Sequence, residues 1–149
     1  MPAPKRMVFD TNVYVAALRE GLAGASFGRL QEAAPRTFLA SVVSAELRAG
    51  ALDDAGRSVV RLLAKRFESL GRVVVPTQGS WDAVGDVLAT IVRRQPEFRT
   101  RIPGLLNDAL IALSAHQIGA TVVTANIEDF RLLRRYVRFD VEQAPCHDF

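Results

Sequence analysis

Three acidic side chains stand in parts of the sequence where apolar residues predominate. Asp10 ends a short apolar run, Glu46 has small or apolar neighbours at helical spacing, and Asp108 interrupts the apolar stretch 105–113. An ionised carboxylate on an apolar face costs several kcal/mol unless it is paired or bound to a metal ion. We therefore expect these three acids to meet in a functional cleft.

Each acid also has a purely structural interpretation that the sequence leaves open. Asp10 could form an Asx-type turn cap after its strand. Glu46 could pair with an arginine such as Arg48 or Arg6. Asp108 could cap a helix that begins late, although the apolar residues before it disfavour this.

A second polar group, Asn126 and Asp129, follows the apolar run 121–124. Asn126 can cap a helix, with Asp129 at its third position in a capping-box-like role. The same two residues can face the cleft, because a helix cap at the carboxyl edge of a sheet also faces the site. Both interpretations can hold together.

The types of ligand present indicate which metal such a cleft would hold. Oxygen ligands without a cluster of His or Cys favour Mg²⁺ or Mn²⁺ over zinc. These ions commonly serve phosphoryl chemistry, because they neutralise the phosphate, lower the pKa of a bound water and stabilise the leaving oxyanion. Carboxylates brought close together repel one another. Some should therefore keep a proton without metal, and metal binding should tighten as the pH rises.

Short apolar runs alternate with helical patterns along the chain. Strands are predicted at residues 7–10, 37–40, 73–75 and 121–124, with an edge strand at 137–141. Helices are predicted at residues 13–20, 25–34, 42–49, 56–69, 81–94, 105–118 and 128–135. Ser41 or Ser44 is predicted to cap the third helix and Ser80 the fifth, and Trp81 is predicted to lie in the core.

Strands separated by helices indicate an α/β fold whose parallel sheet is covered on both faces. Ligands of such sheets bind outside the carboxyl ends of the strands. Asp10 ends the first predicted strand and Asn126 lies just past the fourth. Both side chains are therefore expected at that edge.

Length and composition limit the class of protein. The 149 residues, 49% hydrophobic and 23% charged, fit a single globular domain covering 1–149. The single cysteine, Cys146, excludes an internal disulfide and favours the cytoplasm. His116 and His147 are the only histidines, so a structural zinc site is not expected. The sequence predicts neither a membrane span nor a signal peptide.

The chain is mildly basic, with a net charge of +3 and a pI of about 9.6, which is compatible with a polyanionic partner. Its cations form three groups, of which the first is typical of a solvated helix face and the other two adjoin predicted site elements. The groups are Arg57, Arg61 and Lys65; Arg93, Arg94, Arg99 and Arg101; and Arg131, Arg134, Arg135 and Arg138. We expect the second and third groups to contact phosphate.

Four segments, in this order, resemble the motifs of PIN domains, and most closely those of the VapC-like toxins of bacterial toxin–antitoxin pairs. They are residues 9–13 (FDTNV), 44–50 (SAELRAG), 107–112 (NDALIA) and 124–130 (TANIEDF). The resemblance covers nearly the whole chain. It implies a three-layer α/β/α sandwich with a central, mainly parallel sheet, and a Mg²⁺- or Mn²⁺-dependent endoribonuclease in which a metal-activated water attacks phosphorus.

The resemblance also implies roles for individual residues. Asp10, Glu46 and Asp108 would be the acidic triad that holds the metal. Asn126 matches a fourth catalytic position that is often Asp in other PIN domains, so the second metal position would be weaker. The polar residues that would support the site are Thr11, Asn12, Thr124 and Asp129. The implied partners are RNA, a cognate antitoxin whose tail enters the groove, and a second copy in a homodimer.

Other classes of protein fit the sequence less well. A haloacid-dehalogenase-type phosphatase would show Asp-x-Asp after the first strand, whereas position 12 is Asn, and would give Glu46 no role. A receiver domain would need a late lysine, and no lysine follows Lys65. A non-catalytic RNA- or partner-binding module with the same fold stays open as the alternative function.

Overall fold

The computed structural model describes residues 3–145, in which five parallel strands form one sheet with helices around it. The strands are β1 (Met7–Phe9), β2 (Thr37–Ala40), β3 (Val73–Val74), β4 (Thr121–Thr124) and β5 (Asp140–Gln143). The α-helices are α1 (Thr11–Glu20), α2 (Ala25–Ala33), α3 (Ser41–Gly50), α4 (Asp54–Ser69), α5 (Gln78–Arg94), α6 (Ile102–Ile118) and α7 (Ile127–Leu133). Short 3₁₀ segments precede β2 and α6, at Ala34–Arg36 and Pro96–Arg101.

The strand order is β3-β2-β1-β4-β5, with every neighbouring pair parallel. Parallel crossovers are right-handed, so the connections β1 to β2 and β2 to β3 place α1 to α4 on one face. The connections back to β4 and on to β5 place α5, α6 and α7 on the other. The predicted three-layer α/β/α sandwich is confirmed.

The core is densest where β1 and β4 lie between the two helical layers. Val8, Val122 and Val123 have no exposed surface, and Ala109 and Ile111 of α6 are equally buried. Strands buried on both faces are expected to be continuously apolar, as β1 and the central two residues of β4 are. The helix that carries Asp108 is therefore among the most enclosed elements of the fold.

Most predicted elements are found, but several of their ends were wrong. Helix α3 begins at Ser41 itself, with Ala40 as its N-cap, so neither Ser41 nor Ser44 caps it. Helix α5 begins at Gln78, and the capping side chain is Thr77, which accepts a hydrogen bond from the backbone N–H of Ser80. A Gln-Gly pair hides this first turn from the sequence pattern, because glycine disfavours a helix.

The edge strand and the tryptophan also differ from prediction. β5 begins at Asp140 rather than at residue 137, because Val137 and Phe139 are buried in the segment that leads into it. Trp81 lies on the outer face of α5 with 51% of its surface exposed, so the prediction that it belongs to the core was wrong. Cys146 and His147 lie outside the described residues.

Candidate active site

The cleft lies where the order of the sheet reverses. β1 pairs with β2 on one side and with β4 on the other. The chain runs from β1 outward through β2 to β3, and then returns to the opposite side of β1 to form β4. The backbone N–H of Asp10 donates to Val123 O at 2.9 Å, which extends the β1–β4 pairing to the carboxyl ends of both strands. Open α/β sheets bind ligands at such a point, because the connections leave in opposite directions and open a crevice.

Asp10 is fixed at the mouth of this crevice with only 5% of its surface exposed. Its Oδ1 accepts from the backbone N–H of Thr11 at 2.8 Å. Its Oδ2 accepts from Thr124 Oγ1 at 2.7 Å and from Asn12 Nδ2 at 3.2 Å. Burial raises the pKa of Asp10 above its ordinary value, although these hydrogen bonds oppose the rise and the charge of Glu46 adds to it.

Asn12 and Thr124 also join the loop after β4 to helix α1. The backbone N–H of Ala125 donates to Asn12 Oδ1 at 3.2 Å, and that of Asn126 donates to Thr124 Oγ1 at 2.9 Å. Because each side chain bonds both Asp10 and this loop, the carboxylate cannot turn without breaking several hydrogen bonds. Thr124 is fully buried, which strengthens this restraint.

Glu46 reaches the same cleft from α3 and is half-buried. Its Oε1 accepts from Thr11 Oγ1 at 2.8 Å, and its Oε2 accepts from Asn107 Nδ2 at 3.4 Å. The suggested ion pair of Glu46 with Arg48 or Arg6 is not formed. Arg48 instead contacts Ser44, and Arg6 donates to the backbone of Ile118.

Asp108 comes from the second turn of α6, which begins at Ile102. Asp108 is therefore inside the helix, and the interpretation that it caps a late-starting helix was wrong. Burial, the largest cause, and the charges of Asp10, Asp129 and Glu46 together raise its pKa to about 7, against a smaller lowering by Arg101. An elevated pKa with these causes marks a cluster of carboxylates that lacks enough positive charge.

Asn126 and Asp129 stand beside the cleft and are bonded to each other. Asn126 is the N-cap residue of α7, but its side chain makes no capping hydrogen bond to the helix backbone. Its Nδ2 donates to Asp129 Oδ2 at 2.8 Å, and Arg101 forms an ion pair with the other oxygen of Asp129. Asp129 therefore links α7 to the segment before α6 and adds negative charge near Asp108.

The cleft is a cavity of about 830 Å³. The three acids of the predicted triad line it, together with Asn126 and residues of α1. The lining consists of Asp10, Thr11, Asn12, Val15, Ala16, Arg19, Glu20, Glu46, Asp108 and Asn126. Thr124 and Asp129 do not line the cavity, but they form hydrogen bonds with Asp10 and Asn126, which do.

The oxygen donors of the cleft suit a hard divalent cation. Within residues 3–145, no three His, Cys, Asp or Glu side chains stand close enough together to hold a metal ion. Asp10, Glu46 and Asp108 nevertheless face one cavity with oxygen ligands only, and two of them have raised pKa values. Oxygen ligands of this kind are those that Mg²⁺ and Mn²⁺ prefer.

Sequence reasoning missed Arg19 and assigned no role to Asn107. Arg19 lies seven residues after Asn12 on α1, so both share the helix face that lines the cavity. Among the described residues it has no ion-pair partner. Its spacing from Asn12 was the available signal, but an arginine in a last helical turn is more often explained by the helix dipole.

The four arginines of the second group that was predicted to contact phosphate lie outside the cleft. Arg93 donates to Thr90, and the guanidinium of Arg94 stands 5.6 Å from the ring centre of Tyr136. Arg99 and Arg101 lie in the 3₁₀ segment before α6. Within the described part of the chain, none of the four lines the cleft cavity, and only Arg101 contacts a predicted site residue.

None of the helices in residues 3–145 combines the length and the apolar character that crossing a bilayer requires.

Comparisons with known proteins agree with this architecture. The family model described as "PIN domain" matches residues 7–136. No curated protein matches the chain in sequence. The structure is similar to that of FitAcB from Neisseria gonorrhoeae, with a TM-score of 0.67 and 21% identity over 91% of this chain and 95% of that one.

Two further similar structures contain DNA. VapBC2 from Rickettsia felis, bound to a DNA fragment from its promoter, has a TM-score of 0.61 and 23% identity over 93% of this chain and 98% of that one. DNA-bound VapBC from Salmonella typhimurium has a TM-score of 0.64 and 20% identity over 94% and 98%. At these identities the likeness shows a shared fold. The family model covers most of the chain, from β1 to beyond α7, and the chain therefore belongs to the PIN domain family.

Proposed function

We propose that the protein is a Mg²⁺- or Mn²⁺-dependent endoribonuclease of the VapC type, acting as the toxin of a toxin–antitoxin pair. The observation that carries this proposal is the convergence of Asp10, Glu46 and Asp108 on one cavity at the reversal point of the sheet. The pKa of Asp108, at about 7, supports a role for a cation among them. Membership of the PIN domain family agrees with nuclease chemistry.

In the proposed site, Asp10, Asp108 and Glu46 hold the metal. When bound, the metal would supply an activated water and stabilise negative charge on the phosphate. Thr11 and Asn107 each hold one oxygen of Glu46, while Thr124 and Asn12 keep the carboxylate of Asp10 in one orientation. These hydrogen bonds hold the carboxylates of Asp10 and Glu46 in place, so that these metal-binding side chains need little rearrangement before phosphate binds.

Asn126 and Arg19 would act on the substrate. The side chain of Asn126 lines the cavity, and its amide can contact a phosphate oxygen. Arg19 stands about 10 Å along the axis of α1 from Asn12, at a rise of about 1.5 Å per residue. We assign it to a phosphate next to the scissile one, which a guanidinium can hold with two hydrogen bonds.

The test is cleavage of single-stranded RNA by purified protein in Mg²⁺, in Mn²⁺ and in excess chelator. We expect metal-dependent cleavage that falls by more than about a hundredfold in Asp10→Asn and Asp108→Asn. Asp86→Asn, which neutralises an exposed acid of α5, is the matched control and should cleave like the wild type. Circular dichroism checks that each variant is folded.

Two outcomes would contradict the proposal. If Asp10→Asn and Asp108→Asn both cleaved RNA at the wild-type rate, neither acid would take part in the reaction. A folded protein that cleaves no RNA in either metal would favour the alternative, a non-catalytic RNA- or partner-binding module.

An apolar groove supports the proposed antitoxin partner. α1, α2 and α4 enclose a groove of about 650 Å³ whose lining is mostly apolar, and Leu18, Leu62 and Leu70 expose about half of their surface or more beside it. Exposed apolar patches mark sites of protein association. Two of the similar structures are VapBC complexes, so we propose an antitoxin helix as the occupant. Leu62→Glu should weaken co-purification with the antitoxin while leaving RNA cleavage intact.

A homodimer and a cytoplasmic location complete the proposal. Both follow from its toxin character and from the family resemblance of the motifs. Light scattering after size-exclusion chromatography measures the first, and fractionation of cells measures the second.

A further inference from the structure

A second cavity, here called the rear pocket, lies at the end of the sheet opposite the cleft. Ala120 and Asp140, at the amino ends of β4 and β5, line it, whereas the cleft lies at the carboxyl ends. The rear pocket has a volume of about 810 Å³. The residues of its lining with charged or polar side chains are His116, Arg134, Arg135, Tyr136, Arg138 and Asp140.

The charge of the rear pocket is strongly positive. Among the described residues, Arg134, Arg135 and Arg138 have no carboxylate partner. The one carboxylate in the lining, Asp140, is bound by Lys5 at 3.3 Å. Three cations within five residues repel one another, so their clustering costs free energy that an external anion would relieve.

These arginines were predicted to contact phosphate, because they follow the predicted site residue Asp129 in the sequence. The structure separates them from the cleft, since α7 and the turn after it lead away from the carboxyl edge. Arg131 of the same group lies in the last turn of α7 and is paired with Glu128. The three unpaired arginines thus belong to a surface of their own.

The composition of the pocket favours single-stranded RNA as its ligand over an acidic peptide. All three unpaired cations are arginines, whose planar forks match phosphate in two hydrogen bonds. Tyr136 lines the pocket, and the guanidinium of Arg94, which is not part of the lining, stands 5.6 Å from the centre of its ring. Cations along a concave surface with an aromatic ring and stacking arginines are the combination that binds single strands without sequence preference.

We propose that the rear pocket is an exosite that holds the backbone of single-stranded RNA outside the cleft. The choice of RNA rests on the proposed ribonuclease function. Asp108 and His116 lie eight residues apart on α6, so the cleft and the exosite are separated by at least about 12 Å at a rise of about 1.5 Å per residue. This corresponds to about four nucleotides at the stacked spacing of about 3.4 Å. An RNA of about three nucleotides is shorter than this separation and cannot reach both surfaces, whereas one of about twenty can.

The first test measures binding without catalysis. Fluorescence anisotropy of the long RNA, in chelator, compares the wild type with the triple variant Arg134→Ala/Arg135→Ala/Arg138→Ala. The matched control is Arg57→Ala/Arg61→Ala/Lys65→Ala, which removes the same charge from the exposed face of α4. We expect the exosite variant to bind more weakly. The slope of log K against log salt should fall by about 0.7 for each phosphate that the variant no longer neutralises, or by about 2 in all.

The second test uses catalysis. The exosite variant should lower kcat/KM for the long RNA relative to the short one, mainly through KM, whereas the control variant should keep the wild-type ratio. An equal loss in both triple variants would assign the effect to net charge and overturn the exosite. A competition experiment compares a polyglutamate peptide with unlabelled RNA of equal charge. If the peptide displaces the labelled RNA from the wild type at a lower concentration than the unlabelled RNA does, but does not do so from the exosite variant, the pocket is assigned to an acidic protein instead. Because binding is measured in chelator, loss of the proposed nuclease activity would leave the first test intact.

Discussion

Neutralising Asp108 should stabilise the metal-free protein at alkaline pH. The pKa of Asp108 in the fold is about 7, against an ordinary value of 3.8. A carboxyl group whose pKa is raised by folding binds its proton more tightly in the folded state. The folded state is therefore destabilised as the pH rises from about 4 to about 7, and the loss is complete above that range.

The size of the effect follows from the same two values. The difference between them corresponds to at most about 4 kcal/mol, at about 1.4 kcal/mol per pKa unit. Asp108 is half-buried, and water and side-chain rearrangement screen part of this cost. We expect Asp108→Asn to gain about 2 kcal/mol at pH 8, which for a chain of this length raises Tm by about 4–8 °C.

The assay is urea and thermal unfolding in excess chelator, followed by far-ultraviolet circular dichroism from pH 4 to pH 8. The stability curves of the wild type and Asp108→Asn should separate as the pH rises and meet near pH 4. Asp86→Asn, on the exposed face of α5, should run parallel to the wild type. Added Mg²⁺ should stabilise the wild type at pH 8, because it binds the folded state alone, and should have little effect on Asp108→Asn.

A constant offset between the two curves across the whole pH range would refute the reasoning, since the gain would then come from packing or helix propensity. A gain in wild-type stability between pH 4 and pH 7 in chelator that Asp108→Asn abolished would also refute it, because ionised Asp108 would then stabilise the fold.

Three further variants probe individual contacts. Thr124→Val removes the donor to Asp10 Oδ2 and the acceptor of the Asn126 N–H, so it should cost about 1–3 kcal/mol of unfolding free energy and raise the pKa of Asp10. The pH–rate profile of Thr124→Val should shift to higher pH, and Thr124→Ser should restore both the free energy of unfolding and the wild-type profile. Tyr14 buries a hydroxyl that has no hydrogen-bond partner among the described residues, so Tyr14→Phe should leave Tm unchanged or raise it by an amount equivalent to about 1 kcal/mol. Asn126→Asp places a carboxylate beside Asp129, so calorimetry should register tighter or additional Mg²⁺ binding and chelator should lower its Tm.

The layers of the fold could be predicted because the periods of the apolar pattern fix which elements are strands and which are helices. The order of the strands could not, since no local pattern states which strands pair. β5 was misplaced for a related reason. Its side chains are exposed or half-buried, so the alternation that marks a strand is weak, while the apolar residues Val137 and Phe139 lie just before it.

The acids of the site could be predicted because burial makes an unexplained carboxylate conspicuous among apolar residues. Asn107 gave no such signal, since an uncharged amide near the start of a helix is ordinary. Its bond to Glu46 joins residues that are 61 positions apart, and only the packing of α3 against α6 brings them together.

Arginines give the opposite problem, because an exposed cation is solvated at little cost whether or not it has a function. Sequence proximity to the acids grouped Arg131 with Arg134, yet the first is paired with Glu128 and the second lines a pocket at the far end of the sheet. Sequence proximity also gave no reason to select Arg19, which lines the cleft itself. Whether a cation has a carboxylate partner, and which cavity it lines, is therefore a better ground for proposing an RNA contact than its distance from the acidic residues along the chain.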